Sequence, residues 1–265
     1  MDFFEYKDFI EGYHGQDFFS MTHIIFMVIA TLAIIAIVVA SRKMKPQSLD
    51  KYLKVLSIVV PVLEVIKIVW ESYYDITLGH GFNYVGLLPL YTCSMFIYVL
   101  PLAAWCKGKV KDCALAWLGT IGIFAGMTNF YYTQILFTYP FFTYATFMSL
   151  NFHFLMVLTG LLIVVSGYKK FKWRDIFKGW LPLFLFSLLV IPLDYALAVD
   201  YMLYYHGSGV PVISDLAKYF AEQGARYIYT LIMLAGYALI AAIFVAIYQL
   251  CYKCSSKKKK SKSKA

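Results

Sequence analysis

Long apolar runs, separated by short polar segments, dominate the sequence. Each run provides roughly the 20 residues that an α-helix needs to cross the hydrocarbon core of a bilayer. Because backbone groups in lipid must be hydrogen-bonded within the protein, such runs predict membrane-spanning helices. The pattern therefore predicts an all-α, polytopic membrane protein with seven transmembrane helices. We place these helices at residues 18–40, 52–75, 86–106, 113–138, 146–167, 180–205 and 226–250.

Lysine and arginine are unevenly distributed among the predicted loops. The first, third and fifth loops are rich in them, whereas the second and fourth loops contain none. Cytoplasmic loops carry the excess of positive charge, so we expect the N-terminus outside and the C-terminus in the cytoplasm. This orientation divides the chain into three parts. They are an extracytoplasmic N-terminal segment at 1–17, a transmembrane domain at 18–250 and a basic cytoplasmic tail at 251–265.

Two segments outside the predicted helices have their own character. Residues 1–17 contain five acids and one lysine, unlike the basic start of a signal peptide. In the sixth loop, 206–225, glycine and proline end the preceding helix, and Ser214 could cap a short helix at 215–223. A lid over a cavity and a plain connection are both compatible with this loop.

The seven runs also allow an internal symmetry. The predicted first and fifth helices each carry a histidine near the outer end, His23 and His153, and the second and sixth each carry two acids. This arrangement is compatible with a three-plus-one-plus-three parallel repeat, which some transporters use.

Composition excludes a soluble protein. The chain is 61% hydrophobic and 15% charged, whereas soluble domains are about 45–50% apolar and about 25% charged. We therefore expect a multi-pass protein, and we place it in the plasma membrane. The net charge of +9 includes six lysines between Lys257 and Lys264. We expect this tail to contact anionic lipid headgroups, and no nucleic acid partner.

The cysteines do not indicate a metal centre. Cys251-x-x-Cys254 is a single pair, and a zinc site usually requires a second one. Palmitoylation, or no role, is the better interpretation of a pair beside the last helix. We expect neither a metal nor a soluble cofactor.

Polar side chains within the predicted helices are concentrated in the outer half of the membrane. Such groups are costly to insert, so they tend to face one another or water. Helix rise places Cys93 about 10 Å below the outer boundary, and His153 at nearly the same depth. The other ionisable groups at or near this level are His23, Glu71, Asp194 and Asp200.

This grouping is compatible with thiol chemistry. A cysteine nucleophile needs a base, usually histidine, and a carboxylate often fixes the tautomer of that histidine. Glu71, Asp194 and Asp200 are candidates for the carboxylate. The simpler interpretation is that Cys93 packs as a small apolar residue. His153 would then serve only as an interhelical hydrogen-bond donor, and we expect Asn151 to bond between helices.

The predicted second helix has a charged face. Glu64, Lys67 and Glu71 stand at positions i, i+3 and i+7 and therefore share one side. We expect Glu64 and Lys67 to form a structural ion pair, which leaves Glu71 to orient a histidine. Alternatively, Glu64 and Lys67, together with Asp194 and Asp200, could line the pathway of a proton-coupled or small-solute transporter.

The segment Leu88-Pro89-Leu90-Tyr91-Thr92-Cys93 resembles a known signature. It is similar to the LPLHLC motif of the YwaF-like (TP0381-type) integral membrane proteins, a family related to transmembrane protein 164. Tyr91 stands where the signature has histidine, and Ser94 stands where many bacterial members have an acid. The resemblance continues at His23, the His153 segment, Asp200-Tyr201-Met202 and Ile213-Ser214-Asp215-Leu216.

The resemblance implies an enzyme. The eukaryotic branch of the family is described as an acyltransferase that moves fatty acyl chains between phospholipids through a cysteine and a histidine. By that resemblance, Cys93 is the nucleophile and His153 the base, acting on a lipid acyl ester in the outer leaflet half. Besides the transporter, a seven-helix sensor is a second alternative. Its orientation fits, but the inner loops are short and no lysine lies between Arg226 and Lys253 for a retinal Schiff base.

Overall fold

The computed structural model describes residues 2–9, 19–208 and 210–262, with side chains as far as Lys253. All regular structure in this part of the chain is helical, which confirms the all-α prediction. The α-helices are α1 Met21–Ala40, α2 Pro46–Thr77, α3 Tyr84–Leu87, α4 Met95–Trp105, α5 Gly108–Trp117, α6 Ile123–Tyr131, α7 Tyr144–Val165, α8 Asp175–Leu197, α9 Pro211–Glu222 and α10 Arg226–Lys262. A π-helical turn, Leu118–Gly122, joins α5 to α6.

Five helical stretches of the described chain are long and apolar enough to cross a membrane. They are α1, α7, α8, α10 and the continuous stretch that α5 and α6 form together. These correspond to the first, fourth, fifth, sixth and seventh predicted spans. The protein is therefore an all-helical membrane protein, but the predicted count of seven spans is not confirmed.

The second and third predicted spans differ from the other five. Helix α2 has 32 residues, but Glu64, Lys67 and Glu71 interrupt its apolar character. Helix α4 has only 11 residues and is too short to cross a bilayer alone.

The predicted start of the helix at 86–106 is wrong. A proline restricts the preceding residue to extended backbone, and Leu88 has φ −64° and ψ 123°. Helix α3 consequently ends at Leu87, and helical structure resumes only at Met95. Cys93 therefore lies in a turn before α4, not two helical turns inside a membrane helix.

The end of the sixth predicted span also requires correction. Helix α8 ends at Leu197, and Ala198 follows in the left-handed conformation with φ 50°. Asp200 is thus in the following loop, not on the helix. In the next helix, Pro211 occupies the first position, where its missing N–H is not needed, and Ser214 lies within the helix instead of capping it.

Close packing at small residues organises the centre of the bundle. Helix α7 packs against α1, α2 and α6, while α8 packs against α5 and α10. In the stretch that α5 and α6 form together, 72% of the most apolar segment is buried inside the protein, compared with 17% for α1. Gly126 and Gly160 allow the close approach of α6 and α7, because a side chain at either position would meet the facing helix.

The loops gather at two ends of the bundle. At one end, Asp112 pairs with Lys169 and Lys178, which joins the third and fifth predicted loops. At the other end, the Gln134 side chain donates to the Ser208 carbonyl at 3.0 Å, joining the segment between α6 and α7 to the sixth loop. Which end faces the cytoplasm stays a prediction, as does the internal repeat.

The N-terminal segment, predicted as a lead-in, packs against the bundle where it is described. Tyr6 is buried, and its hydroxyl donates to Asp75 on α2 at 2.5 Å. The Phe3 carbonyl accepts a hydrogen bond from the Tyr144 amide at the start of α7. Glu11 and Asp17, two of the five acidic residues of this segment, lie outside the described residues.

The C-terminal boundary at 250 does not correspond to a structural break, because α10 continues to Lys262. Cys251 is exposed. The side chain of Cys254 and those of the lysine run lie outside the described residues. The proposed roles of this tail therefore stay predictions.

Candidate functional site

Cys93 lies in a non-helical stretch that several tyrosines hold in place. The Thr92 and Tyr237 hydroxyls are 2.8 Å apart, which ties this stretch to α10. The Tyr91 ring packs edge-on against Tyr201. Cys93 itself is partly buried against the main apolar core, and its carbonyl accepts from the Phe96 amide in the first turn of α4. The thiol is thus placed by fixed backbone at a helix start.

The charged face of α2 lies within electrostatic range of this thiol. Lys67 Nζ is 2.9 Å from Glu64 Oε1, so the structure contains the ion pair expected from their spacing. The charge of Lys67 is also within range of the His153 ring, and Glu71 is within range of Lys67 and Tyr91. Among the described residues, neither ring nitrogen of His153 is hydrogen-bonded to Cys93.

His153 is buried on α7 and has one ring nitrogen engaged. Its Nδ1 is 2.7 Å from the Ser149 carbonyl, one turn earlier on the same helix. A carbonyl oxygen can only accept a hydrogen bond, so Nδ1 carries the proton and Nε2 keeps its lone pair. Nε2 is buried and has no hydrogen-bond partner within the described part of the chain. The ring is consequently held in the tautomer that a general base requires.

Two of the three acids proposed to orient His153, Asp194 and Asp200, accept hydrogen bonds elsewhere. Asp194 Oδ1 accepts from the Tyr201 amide at 2.9 Å and so stabilises the turn after α8. The Asp200 carboxylate accepts from the Tyr205 amide and the Ser208 hydroxyl. Because the Ser149 carbonyl occupies Nδ1, it takes the position that the sequence analysis assigned to a carboxylate.

Two further predicted site residues lie in other surroundings. His23 is fully buried on α1, stacks on Phe19, and has the Phe130 carbonyl of α6 nearby. Asn151 was expected to bond between helices, but its amide donates to the Phe147 carbonyl of its own helix at 2.8 Å. Its side chain is exposed, and the nearest free acceptor is the carbonyl one turn earlier.

A family model described as the TMEM164 family matches residues 18–248 of the chain. The chain belongs to the TMEM164 family. The match includes the thiol stretch, the charged face of α2 and α7, and it supports the relation to transmembrane protein 164 that the Leu88–Cys93 segment implied. The narrower YwaF-like subtype is not confirmed. Neither the curated proteins nor the solved structures contain a significant match to this chain.

Sequence reasoning missed several contacts of this TMEM164 family member. Lys67 was assigned to an ion pair or, alternatively, to a transport pathway, and not to the surroundings of Cys93 and His153. The Ser149 carbonyl is a backbone group, and a sequence does not indicate which carbonyl a side chain will meet. Tyr237 is one of 23 tyrosines, so nothing in the sequence distinguished it.

Two cavities of this TMEM164 family member, each of about 170 Å³, lie apart from the thiol. One is aromatic and opens beside α7, and it is lined by Phe3, Phe26, Phe141, Phe142, Phe147, Leu150 and Asn151. The other has Lys218 and Arg226 in its lining and lies between the loop after α8, helix α9 and the start of α10. Among the described residues, no cluster of three or more histidine, cysteine or acidic side chains has the arrangement of a metal site.

Proposed function

We propose that this member of the TMEM164 family is a membrane-embedded acyltransferase or transacylase. In this proposal, Cys93 and His153 transfer the acyl chain of a lipid ester in the outer leaflet half. The observation that carries the proposal is the state of His153. Its Nδ1 proton is fixed by the Ser149 carbonyl, and Nε2 is buried and available as a base.

The reaction has two steps. The Cys93 sulfur attacks the ester carbonyl carbon, its proton passes to His153 Nε2, and the resulting imidazolium protonates the departing alkoxide. The products are an acyl-thioester on Cys93 and a lysolipid. In the second step the hydroxyl of an acceptor lysolipid loses its proton to His153 and attacks the thioester. The thiol then recovers the proton from His153, and the new ester leaves.

Lys67 has a defined electrostatic role in this scheme. Negative charge develops on the sulfur and then on the carbonyl oxygen during each attack. A fixed positive charge in a low-dielectric site stabilises such charge strongly. The Lys67 charge is within electrostatic range of the Cys93 thiol, and its pair with Glu64 holds the ammonium group in place.

The surroundings support a lipid substrate. The aromatic cavity beside α7 is lined by Leu150 and Asn151, which precede His153 on the same helix. An apolar cavity of this kind suits an acyl chain. We place the protein in the plasma membrane, with the basic tail on anionic headgroups of the cytoplasmic leaflet.

The decisive experiment traps the covalent intermediate. Purified protein is incubated with a phospholipid bearing an alkyne-tagged acyl chain, and the tag on the protein is quantified with and without hydroxylamine, which cleaves thioesters. We expect a hydroxylamine-sensitive tag on the wild type, none on Cys93→Ala, and full labelling of the control Cys113→Ala. Cys113 is also a partly buried free thiol, on α5.

Other results would contradict the proposal. Equal labelling of the wild type and Cys93→Ala, or a lipid composition that Cys93→Ala leaves unchanged, would exclude a thioester route. The transporter alternative predicts proton-coupled flux that Glu64→Gln abolishes and Cys93→Ala preserves. Measuring flux and labelling on the same proteoliposomes separates these two functions.

A further inference from the structure

The cavity between the loop after α8, helix α9 and the start of α10 has positively charged side chains in its lining. It is lined by Tyr205, His206, Ser214, Ala217, Lys218, Ala221 and Arg226. Three of these side chains are basic and none is acidic. A single water needs only about 10–15 Å³ of such space, so a cavity of about 170 Å³ accommodates a considerably larger polar group.

Arg226 is incompletely paired where it meets this cavity. Its guanidinium lies over the Tyr205 ring, 4.0 Å from the centroid, which fixes its orientation. Its Nε is buried and has no hydrogen-bond partner within the described residues. Buried donors in native proteins are nearly always satisfied, so an unpaired guanidinium N–H at a cavity wall calls for an acceptor.

Neighbouring acids do not neutralise this charge. The Asp200 carboxylate is occupied by the Tyr205 amide at 2.9 Å and the Ser208 hydroxyl at 2.8 Å. Glu222 approaches Lys218 at 4.0 Å, but both side chains are largely exposed. An exposed pair of this kind contributes little and can open at low cost. Arg226 and Lys218 therefore remain available to an external anion.

Backbone geometry keeps the walls of the cavity together. Gly207 has φ +76°, and a Cβ there would lie 2.7 Å from the Ser214 amide nitrogen. The Ser214 hydroxyl donates to the Gly207 carbonyl at 3.3 Å. Arg226 is also the first residue of the 37-residue helix α10, whose N-terminal dipole adds positive potential. The basic side chains are thus presented by a constrained loop and two helices.

We infer that this cavity is a binding site for a phosphate group, supplied by a phospholipid headgroup or by free inorganic phosphate. The guanidinium fork suits a phosphate oxygen pair, and Lys218 adds a second charge. Helix α9 exposes Val212 and Tyr219, seven residues apart and so on one face, which is typical of a helix at a membrane surface. This site does not depend on the proposed acyl transfer.

The test uses purified full-length protein in dodecyl maltoside, a detergent without phosphate. The melting temperature is measured with added sodium phosphate, with sodium chloride at equal ionic strength, and with phosphatidylglycerol in mixed micelles. A ligand that binds only the folded state raises the melting temperature in proportion to its affinity. We expect phosphate, phosphatidylglycerol or both to stabilise the wild type above the chloride control.

Variants assign that effect to the cavity. Arg226→Gln should weaken the apparent affinity about tenfold, because a charge-assisted hydrogen bond is lost. Lys218→Gln should weaken it as well, and because Lys218 is exposed this variant gives an answer even if Arg226→Gln does not fold. The matched control is Arg174→Gln, an exposed arginine before α8, which should respond like the wild type.

The outcomes are distinct. Stabilisation by phosphate alone identifies a free anion as a ligand, and stabilisation by phosphatidylglycerol alone identifies a lipid headgroup. The absence of any anion-specific shift in the wild type overturns the inference. So does a shift of equal size in Arg226→Gln, Lys218→Gln and Arg174→Gln. Cys93→Ala should retain the shift, which separates this site from the proposed acyl transfer.

Discussion

Ser149 and His153 stand one turn apart on α7, and this local contact defines the state of the imidazole. The carbonyl at position i−4 would ordinarily accept only from the helix backbone, but here it also receives the Nδ1–H at 2.7 Å. Burial then isolates Nε2 from solvent. In the proposed mechanism, a base held in this way needs no carboxylate partner, and Asp194 and Asp200 instead accept hydrogen bonds in the loop after α8.

Replacement of His153 tests this role directly. We expect His153→Asn to lower the rate of acyl transfer by about 10²–10⁴-fold, because a positioned general base contributes that much. The rate of thioester formation on Cys93, measured by rapid quenching with tagged lipid, reports the effect. A loss below threefold would contradict the assignment.

A residue on the same helix that lines neither of the two cavities supplies the control. Val165 is exposed at the end of α7. We therefore expect Val165→Ala to form the thioester at nearly the wild-type rate. If both variants lost activity equally, disruption of α7 and not loss of a base would be the cause.

Glycines, which have no side chain, are as important for packing between helices as larger residues are. Gly160 on α7 faces the turn between α5 and α6, where a Cβ would lie 2.3 Å from Ile123 Cγ1 and 2.5 Å from the Leu118 carbonyl oxygen. Lipid offers no hydrophobic drive for helices to associate, so close backbone approach is a principal source of stability. The position of α7, and with it His153, depends on this contact.

Gly160→Ala should consequently destabilise the bundle. We expect a loss of about 1–3 kcal/mol, the usual cost of forcing an extra methyl group into a packed core. The loss is measurable as a lower melting temperature in detergent. The matched control is Gly236→Ala on α10, where a Cβ would meet nothing within 4 Å. Because alanine has the higher helix propensity, Gly236→Ala should not lower the melting temperature, and similar losses in the two variants would contradict the packing role of Gly160.

At one end of the bundle, charged side chains from different loops form ion pairs and hydrogen bonds with one another. Asp50 at the start of α2 accepts from Lys111 at 2.9 Å and from the Tyr168 hydroxyl at 2.5 Å. These three residues come from the predicted first, third and fifth loops. Asp112, Lys169 and Lys178 form a second group beside them. Loops that alternate along the chain therefore meet in space.

Acid should loosen this end. Burial raises the pKa of Asp50, but the Tyr168 hydroxyl and the Lys111 ammonium together outweigh it and hold the pKa below the ordinary value of 3.8. The unfolded chain binds the proton more tightly, so the stabilisation is fully present above about pH 4 and is lost as the pH falls through the lower, folded value.

Acid titration of the melting temperature measures this contribution. We expect Asp50→Asn to lower the melting temperature at neutral pH and to reduce its fall below about pH 4. The control Asp215→Asn replaces an exposed acid that forms no ion pair among the described residues, and it should behave like the wild type. An unchanged acid profile in Asp50→Asn would contradict the role of this group.

The local pattern of side chains was sufficient to predict the helical class, but the predicted starts or ends of several helices were wrong. Apolar runs and internal backbone bonding leave few alternatives in lipid, so five of the predicted spans appear as expected. The spacing of Glu64 and Lys67 was enough to pair them, because helix geometry alone brings positions i and i+3 together. Pro89 was visible as well, but whether a helix starts at a proline or resumes after it depends on the packing of its neighbours.

Contacts between distant parts of the chain required the folded molecule. Thr92 and Tyr237 are 145 residues apart in sequence, and only the folded chain brings their hydroxyls to 2.8 Å. The charge of Lys67 reaches both Cys93 and His153 because α2, the thiol stretch and α7 converge. Helix periodicity describes one helix at a time, whereas the rotation and order of helices in a bundle are set by side-chain packing across many contacts. For that reason the sequence could propose Cys93 and His153 as a pair, while their surroundings became visible only in the fold.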